Sequence, residues 1–266
     1  GNNVFENHTE LRTVIIPDNV TKIGRYAFSE CANLSSVKLS KKLVEMGGSA
    51  FGNCDALTSI EIPKSLVGGD NVLFYADNGP FNKCSNLKNV TFESGTTEIC
   101  GNLFSGCDGI EEIIVPSTVT KIQNSAFKDS GLSKISIKEG LTQIGDYAFE
   151  GCSNLSVINI PNGVKSLGKS AFSKCNKIRE INIPNSVSSI GQAAFNGCTS
   201  LTKATLPNTI DNIPQSMFED CTALASIELP ETVKIINSNA FKNCTSLALS
   251  LIHIRRCRRT LGCRSR

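Results

Sequence analysis

The chain has 266 residues, of which 40% are hydrophobic and 19% are charged, and it contains no tryptophan. Its formal net charge of +3 depends on residues 249–266, which carry six of the 27 basic residues and no acidic residue. The rest of the chain therefore has 21 basic against 24 acidic residues, and this mildly acidic balance disfavours nucleic-acid binding through phosphate contacts.

Phenylalanine recurs along the chain at a nearly fixed period. Ten of the twelve phenylalanines from Phe28 to Phe241 recur in this way: eight follow the previous member of the series by 22 or 23 residues, and Phe5 precedes Phe28 by 23. A cysteine stands three residues after nine of the ten. A fixed period of this size predicts a solenoid, in which each unit stacks on the next. The ten phenylalanines are Phe28, Phe51, Phe81, Phe104, Phe127, Phe149, Phe172, Phe195, Phe218 and Phe241.

Each repeat begins with a predicted short strand. In the repeat that starts at Leu155, Ile158 and Ile160 are two residues apart, so they point to the same side of an extended segment, while Asn159 points to the other. Pro161 follows, and proline belongs at a strand boundary because it cannot donate a ladder hydrogen bond. The pattern indicates a strand with one buried face and one exposed face.

The second half of each repeat is predicted to bend back towards the next strand. Five repeats have glycine four residues before the phenylalanine, as at Gly168, but Pro214 occupies the same position. Since proline fixes φ near −65°, we expect a small residue at a tight bend and no required positive φ. The following segment, 171–175, is too short for a stable helix, and a single 3₁₀ or α turn is expected.

The repeat Leu-x-x-Ile-x-Ile-Pro-x-x-Val-x-x-Ile-Gly-x-x-Ala-Phe-x-x-Cys resembles the BspA-like (Treponema pallidum type) leucine-rich repeat family, over residues 4 to about 248. The resemblance implies an α/β-type solenoid that is mostly β. We expect a right-handed leucine-rich-repeat superhelix of about ten 23-residue coils, with a parallel β-sheet on its concave face. It also implies a bacterial or protist protein, at the cell surface or secreted, that adheres to host proteins or to other cells.

The two ends of the chain depart from the repeat. We expect residues 1–248 to form the solenoid, as a fragment without capping units. Residues 249–266 break the pattern, because Ser250 stands where an apolar residue is expected, and we interpret them as a non-native tail. The alternative is a basic targeting or nucleic-acid-binding tail.

The recurring cysteines allow three interpretations. Equivalent Cα atoms of neighbouring coils lie within disulfide range, but the side chains stack in parallel and their number is odd, so buried free thiols are preferred over disulfides or a metal site. The chain has two histidines, His8 in the cysteine position and His253 in the tail, and no converging set of nucleophile, base and metal ligands. We therefore expect no enzyme activity and no cofactor or metal.

The exposed side of the strands is the expected ligand surface, with a loop insertion as the second candidate. Ile114 and Val157 stand out on that side because they are apolar. Seven extra residues between Phe51 and Phe81 form an insertion with Phe74 and Tyr75, either a binding loop or a tolerated one. The predicted ligand-binding residues are Lys38, Glu61, Thr91, Ile114, Ser136, Val157, Asn159, Asn182, Thr205 and Glu228, together with Phe74 and Tyr75.

The favoured function is that of a non-enzymatic protein-binding module in a surface adhesin, with a host-matrix or cell-surface protein as its ligand and neither nucleic acid nor membrane insertion. Two alternatives remain: a structural stalk or spacer for another domain, and the repeat region of a larger enzyme.

Overall fold

The computed structural model describes residues 1–66 and 78–248 and the backbone of Ile252–His253. Coils of about 23 residues stack into a parallel β-solenoid of about nine turns, and the described residues contain no helix. Most coils contribute one strand to each of two sets. The first set comprises β1 (Thr13–Ile15), β3 (Ser36–Lys38), β5 (Ser59–Ile62), β6 (Asn89–Phe92), β8 (Glu112–Ile114), β10 (Lys134–Ser136), β13 (Glu180–Asn182), β15 (Lys203–Thr205), β17 (Ser226–Glu228) and β19 (Ile252–His253). The second set comprises β2 (Lys22–Ile23), β4 (Glu45–Met46), β7 (Glu98–Ile99), β9 (Lys121–Ile122), β11 (Gln143–Ile144), β12 (Ser166–Leu167), β14 (Ser189–Ile190), β16 (Asn212–Ile213) and β18 (Ile235–Ile236).

Neighbouring coils pair in parallel through equivalent residues. The first set forms the sheets β1-β3, β5-β6, β8-β10 and β13-β15-β17-β19, and the second set forms β2-β4, β7-β9-β11-β12-β14 and β16-β18. Ser59 pairs with Asn89, so the stack continues across the seven-residue insertion. The coil at Val157 joins the first set only by its bridge to Lys134. The predicted mostly β solenoid is confirmed, while its hand and the concavity of its sheet stay predictions.

The core is a column of stacked phenylalanine rings. Successive rings from Phe5 to Phe241 have centroids 5.1 to 5.9 Å apart, and their planes differ by no more than 23°. The eight rings from Phe51 to Phe218 are fully buried. Each buried side chain of this size contributes roughly 1.5–3 kcal/mol before chain entropy is subtracted. No coil buries its own ring without its neighbours, so the stack holds the coils together.

The turn that carries the phenylalanine is not helical, and the 3₁₀ or α turn predicted for 171–175 is wrong. In every described turn except that of Phe81, the residues two before and two after the phenylalanine have positive φ, as at Ser170 (φ 51°) and Lys174 (φ 60°). A right-handed helix excludes positive φ. The amides of Ser170, Phe172 and Lys174 instead donate to carbonyls of the following coil at 2.7–2.9 Å.

Glycine at the bend allows two backbones to approach closely. Gly168 and Gly191 have no positive φ, as predicted. A Cβ at Gly191 would lie 2.3 Å from the amide nitrogen of Lys169 in the preceding coil, and a Cβ at Gly168 would lie 2.4 Å from that of Asp146. Both distances are shorter than any real contact, so the glycine serves the packing of one coil on the next.

The ten cysteines among the described residues are buried free thiols, which confirms the preferred interpretation. In eight of the nine recurring positions, the thiol lies 3.0–3.2 Å from the backbone carbonyl oxygen of the phenylalanine of the preceding coil. The thiol is the donor of this hydrogen bond, because a carbonyl oxygen can only accept. Cysteine thus fills the core and adds one hydrogen bond per coil.

Candidate binding surface

The outward side chains of the first strand set form a surface that we call the strand face. Because strand residues alternate, each coil places one side chain in each of two rows while the residue between them is buried. The first row is Thr13, Ser36, Ser59, Asn89, Glu112, Lys134, Val157, Glu180, Lys203 and Ser226, and the second is Ile15, Lys38, Glu61, Thr91, Ile114, Ser136, Asn159, Asn182, Thr205 and Glu228. All ten predicted strand-side residues lie in these rows, and all are exposed except the half-buried Ser136.

Ile114 and Val157 are exposed apolar residues of this face, as the sequence predicts. Their exposed fractions are 63% and 66%. Ile114 pairs in register with Ser136, and Val157 bridges to Lys134, so the two residues lie two coils apart, about 10 Å, in neighbouring rows. Between them, the Nζ atom of Lys134 lies 2.7 Å from the Oε1 atom of Glu112. The two apolar side chains therefore flank an ion pair.

A third exposed apolar residue, Ile15, was missed by sequence reasoning. Ile15 pairs with Lys38 and is 68% exposed. The sequence does contain the alternation that places Ile15 on the outward side. Val14 and Ile16 occupy the inward positions on either side of it, and Pro17 ends the strand. The other candidates, Phe74 and Tyr75, lie outside the described residues.

Charges on the surface of the solenoid are arranged as pairs between coils. Within the described ranges, seven lysine–glutamate bridges join neighbouring coils, with Nζ–Oε distances of 2.7–3.9 Å. The pairs Lys22–Glu45 and Glu98–Lys121 occupy equivalent positions. Such exposed pairs stabilise a fold by about 0–1 kcal/mol each. Their main effect is to neutralise charge along the stack.

His8 occupies the cysteine position of the first turn but, unlike the cysteines at that position, is not buried. The residue is exposed, with its Nδ1 atom 3.1 Å from the Glu6 carbonyl oxygen and its ring edge-on to Phe5. The cause is that only the following coil packs against this turn in the described structure. Over the described ranges, no three or more His, Cys, Asp or Glu residues are placed to hold a metal ion. In the same ranges, no helix has the length and apolarity needed to cross a bilayer.

The fold and its exposed strand face define a leucine-rich-repeat solenoid. The sequence profile of the BspA type leucine rich repeat region matches residues 1–133 and 120–248, in six copies. The chain therefore belongs to the BspA-type leucine-rich repeat family, which confirms the resemblance seen in its repeats. Among functionally curated proteins, none matches the chain significantly.

Three solved structures of bacterial proteins are similar to this chain. A leucine-rich repeat protein from Bacteroides ovatus is 30% identical, with a TM-score of 0.69, over 93% of this chain and 68% of that one. A leucine rich cell surface protein from Faecalibacterium prausnitzii is also 30% identical, with a TM-score of 0.54, over 93% and 74%. The leucine rich repeat protein of T. pallidum is 27% identical, with a TM-score of 0.57, over 73% and 79%.

Proposed function

We propose that this protein is a non-enzymatic protein-binding module of a cell-surface or secreted adhesin, and that it binds its ligand with the strand face. The observation that carries the proposal is the exposure of Ile15, Ile114 and Val157 in two otherwise polar rows. Apolar side chains amid polar ones are typical of protein contacts, where a few apolar anchors contribute most of the binding energy.

The family and its relatives support the same proposal. Leucine-rich repeats generally mediate protein interactions, and the similar protein of Faecalibacterium prausnitzii is described as a cell surface protein. The ligand class that we propose is a host-matrix or cell-surface protein, held by many polar contacts over a large area with the apolar residues as anchors.

The test is a double substitution, Ile114→Lys with Val157→Lys. Both side chains point to solvent, so the fold is retained, while lysines at a desolvated contact weaken binding by about 1–3 kcal/mol per position. Binding is measured against a panel of immobilised extracellular-matrix proteins. The matched control is Val44→Lys with Ile235→Lys, which makes the same chemical change at exposed residues off the strand face.

Three results would contradict the proposal. Unchanged affinity of the correctly folded Ile114→Lys/Val157→Lys variant would exclude this part of the strand face as the binding surface. Binding of no protein by the solenoid would favour the alternative function, a stalk or spacer, for which the unbroken phenylalanine stack from Phe5 to Phe241 supplies the rigidity. A catalytic domain in the full-length gene would instead favour the repeat region of a larger enzyme.

A further inference from the structure

Four exposed basic residues form a patch at one side of the solenoid, which we call the basic patch: Lys174, Lys177, Arg179 and Lys203. Lys174 follows the ring of Phe172, and Lys177 and Arg179 lie on the segment that leads into β13. Lys203 begins the neighbouring strand β15, and its amide nitrogen lies 3.4 Å from the carbonyl oxygen of Arg179. The patch thus combines residues of two successive coils.

The side chains of the basic patch spread across three coils. A Cβ built at Gly197 in the following coil would lie 3.4 Å from the Cγ atom of Lys174, so the stem of this lysine runs beside a residue without a side chain. In the other direction, the Nζ atom of Lys177 lies 2.8 Å from the Oδ1 atom of Asn154 in the preceding coil. The basic patch therefore reaches across three coils and is not a single column.

The charge of the basic patch is only partly balanced by neighbouring coils, where Glu180 pairs in register with Lys203. None of its four residues takes part in an ion pair within the described part of the chain, whereas seven other lysines each pair with a glutamate of an adjacent coil. Over the three coil segments 151–159, 174–182 and 197–205, the one acidic residue in the sequence is Glu180. The patch carries a local excess of positive charge on a mildly acidic solenoid.

The surroundings of the basic patch indicate the class of ligand. They consist of small hydroxyl and amide side chains: Ser153, Asn154, Ser156, Asn176, Thr199, Ser200 and Thr202. No aromatic residue lies in these three segments, so the stacking surface that single-stranded nucleic acid uses is missing there. Apart from Val157 at the edge, the segments also expose no large apolar side chain as an anchor for a protein.

We propose that the basic patch binds an anionic polysaccharide. Its lysines and arginine pair with carboxylate or sulfate groups, and its serine, threonine and asparagine side chains hydrogen-bond to sugar hydroxyls. This site borders the strand face at Val157 and shares Lys203 with its first row, but it does not depend on a protein ligand.

The test compares two probes with charged groups, heparin and polygalacturonate, with neutral dextran. The variant replaces all four cations: Lys174→Gln, Lys177→Gln, Arg179→Gln and Lys203→Gln. The matched control replaces four exposed lysines that also form no ion pair in the described ranges: Lys41→Gln, Lys42→Gln, Lys138→Gln and Lys234→Gln. Both variants change the net charge by the same amount. A difference between their affinities therefore shows that the position of the replaced cations matters.

We expect the full chain to bind heparin or polygalacturonate, but not dextran, with an affinity that falls as salt is added. The patch variant should bind about tenfold more weakly or worse, while the control stays close to the original protein. Equal weakening of both variants, no weakening of either, or no binding of either probe would overturn the proposal. An oligo-dT strand bound as tightly as heparin would assign the patch to nucleic acid instead.

Discussion

The thiol of Cys198 donates a hydrogen bond to the backbone carbonyl of Phe172 in the preceding coil, with an Sγ–O distance of 3.1 Å. The same carbonyl accepts the amide of Cys175 in its own coil at 3.3 Å. The aromatic column and the thiol column are therefore joined at eight of the nine recurring cysteines. Serine at this position keeps a polar contact, since the hydroxyl of Ser130 lies 3.5 Å from the thiol of Cys152. This link explains why cysteine accompanies phenylalanine at a fixed distance in the repeat.

The buried thiols make the fold sensitive to alkali. Burial raises the pKa of the Cys198 thiol from 9.0 to about 12, and that of Cys152 likewise to about 12. The unfolded chain loses these protons near pH 9 and the folded chain keeps them, so their contribution is complete below pH 9 and is lost as the pH rises towards 12. We expect the urea midpoint to fall between pH 9 and 11.

The control for this pH dependence is the variant Cys152→Ala/Cys198→Ala. This variant lacks the two thiols whose pKa burial raises and keeps every other titrating group. Its midpoint should fall less steeply with pH. A slope identical to that of the original protein would show that these thiols do not contribute.

Burial should also protect the thiols from reagents. Because the thiolate is the reactive species and burial raises the thiol pKa, the native protein should react slowly at pH 8 with a disulfide reagent. In denaturant without reductant, the recurring cysteines should all titrate as free thiols. Recovery of bridged pairs in that titration would contradict the structure.

The repeat in the sequence predicts the stacking of coils, because the period of phenylalanine reports equivalent positions directly. It does not predict the two positive-φ residues of each turn, since residues as different as Tyr26, Ser49 and Ala193 hold one of these positions. No single residue type marks that conformation. The backbone amides of these residues donate to carbonyl oxygens of the next coil. Because no recurring glycine marks the positive-φ positions, the sequence wrongly predicts a helical turn for this short segment.

The candidate surfaces were predictable to different degrees. The alternation of inward and outward residues gives the rows of the strand face, and Ile114 and Val157 follow from it. The basic patch was not predictable from net charge, because Arg179 and Lys203 are 24 residues apart and become neighbours only by stacking. Charge counted over the whole chain averages such local clusters away.

A ring in the middle of the phenylalanine stack should contribute more to stability than one at its end. Phe149 is fully buried between Phe127 and Phe172, with ring centroids at 5.4 and 5.3 Å. The substitution Phe149→Ala should lower the free energy of unfolding by about 3–5 kcal/mol, because it removes apolar contacts and leaves a cavity.

The matched control is Phe5→Ala, at a ring that is 40% exposed and stacks on one neighbour, Phe28. Its free energy of unfolding should fall by less than half as much as that of Phe149→Ala. Urea unfolding measures both, with the slope checked for a change in cooperativity. Similar losses would show that the coils do not share one continuous core.

Glycine at the bend and glycine in the turn should respond differently to substitution. Gly191→Ala places a Cβ 2.3 Å from the amide nitrogen of Lys169, so one coil must move away from the other, at a cost of about 1–3 kcal/mol. Pro214 occupies the equivalent position in the next coil, so the coils can adjust and the fold should survive. The comparison is Gly197→Asn, at a position with φ 71°. Asn53 and Asn243 adopt φ 54° and 61° at equivalent positions, so asparagine is compatible with that backbone.

Both glycine variants can be compared in one thermal or urea unfolding experiment. Gly197→Asn should change the free energy of unfolding by less than about 1 kcal/mol, because asparagine tolerates the left-handed region and restricts the unfolded chain more than glycine does. Gly191→Ala should be clearly the less stable protein, although its substitution adds only one methyl group. If instead Gly197→Asn lost more stability, backbone conformation and not close packing of the coils would be the reason for glycine in this repeat.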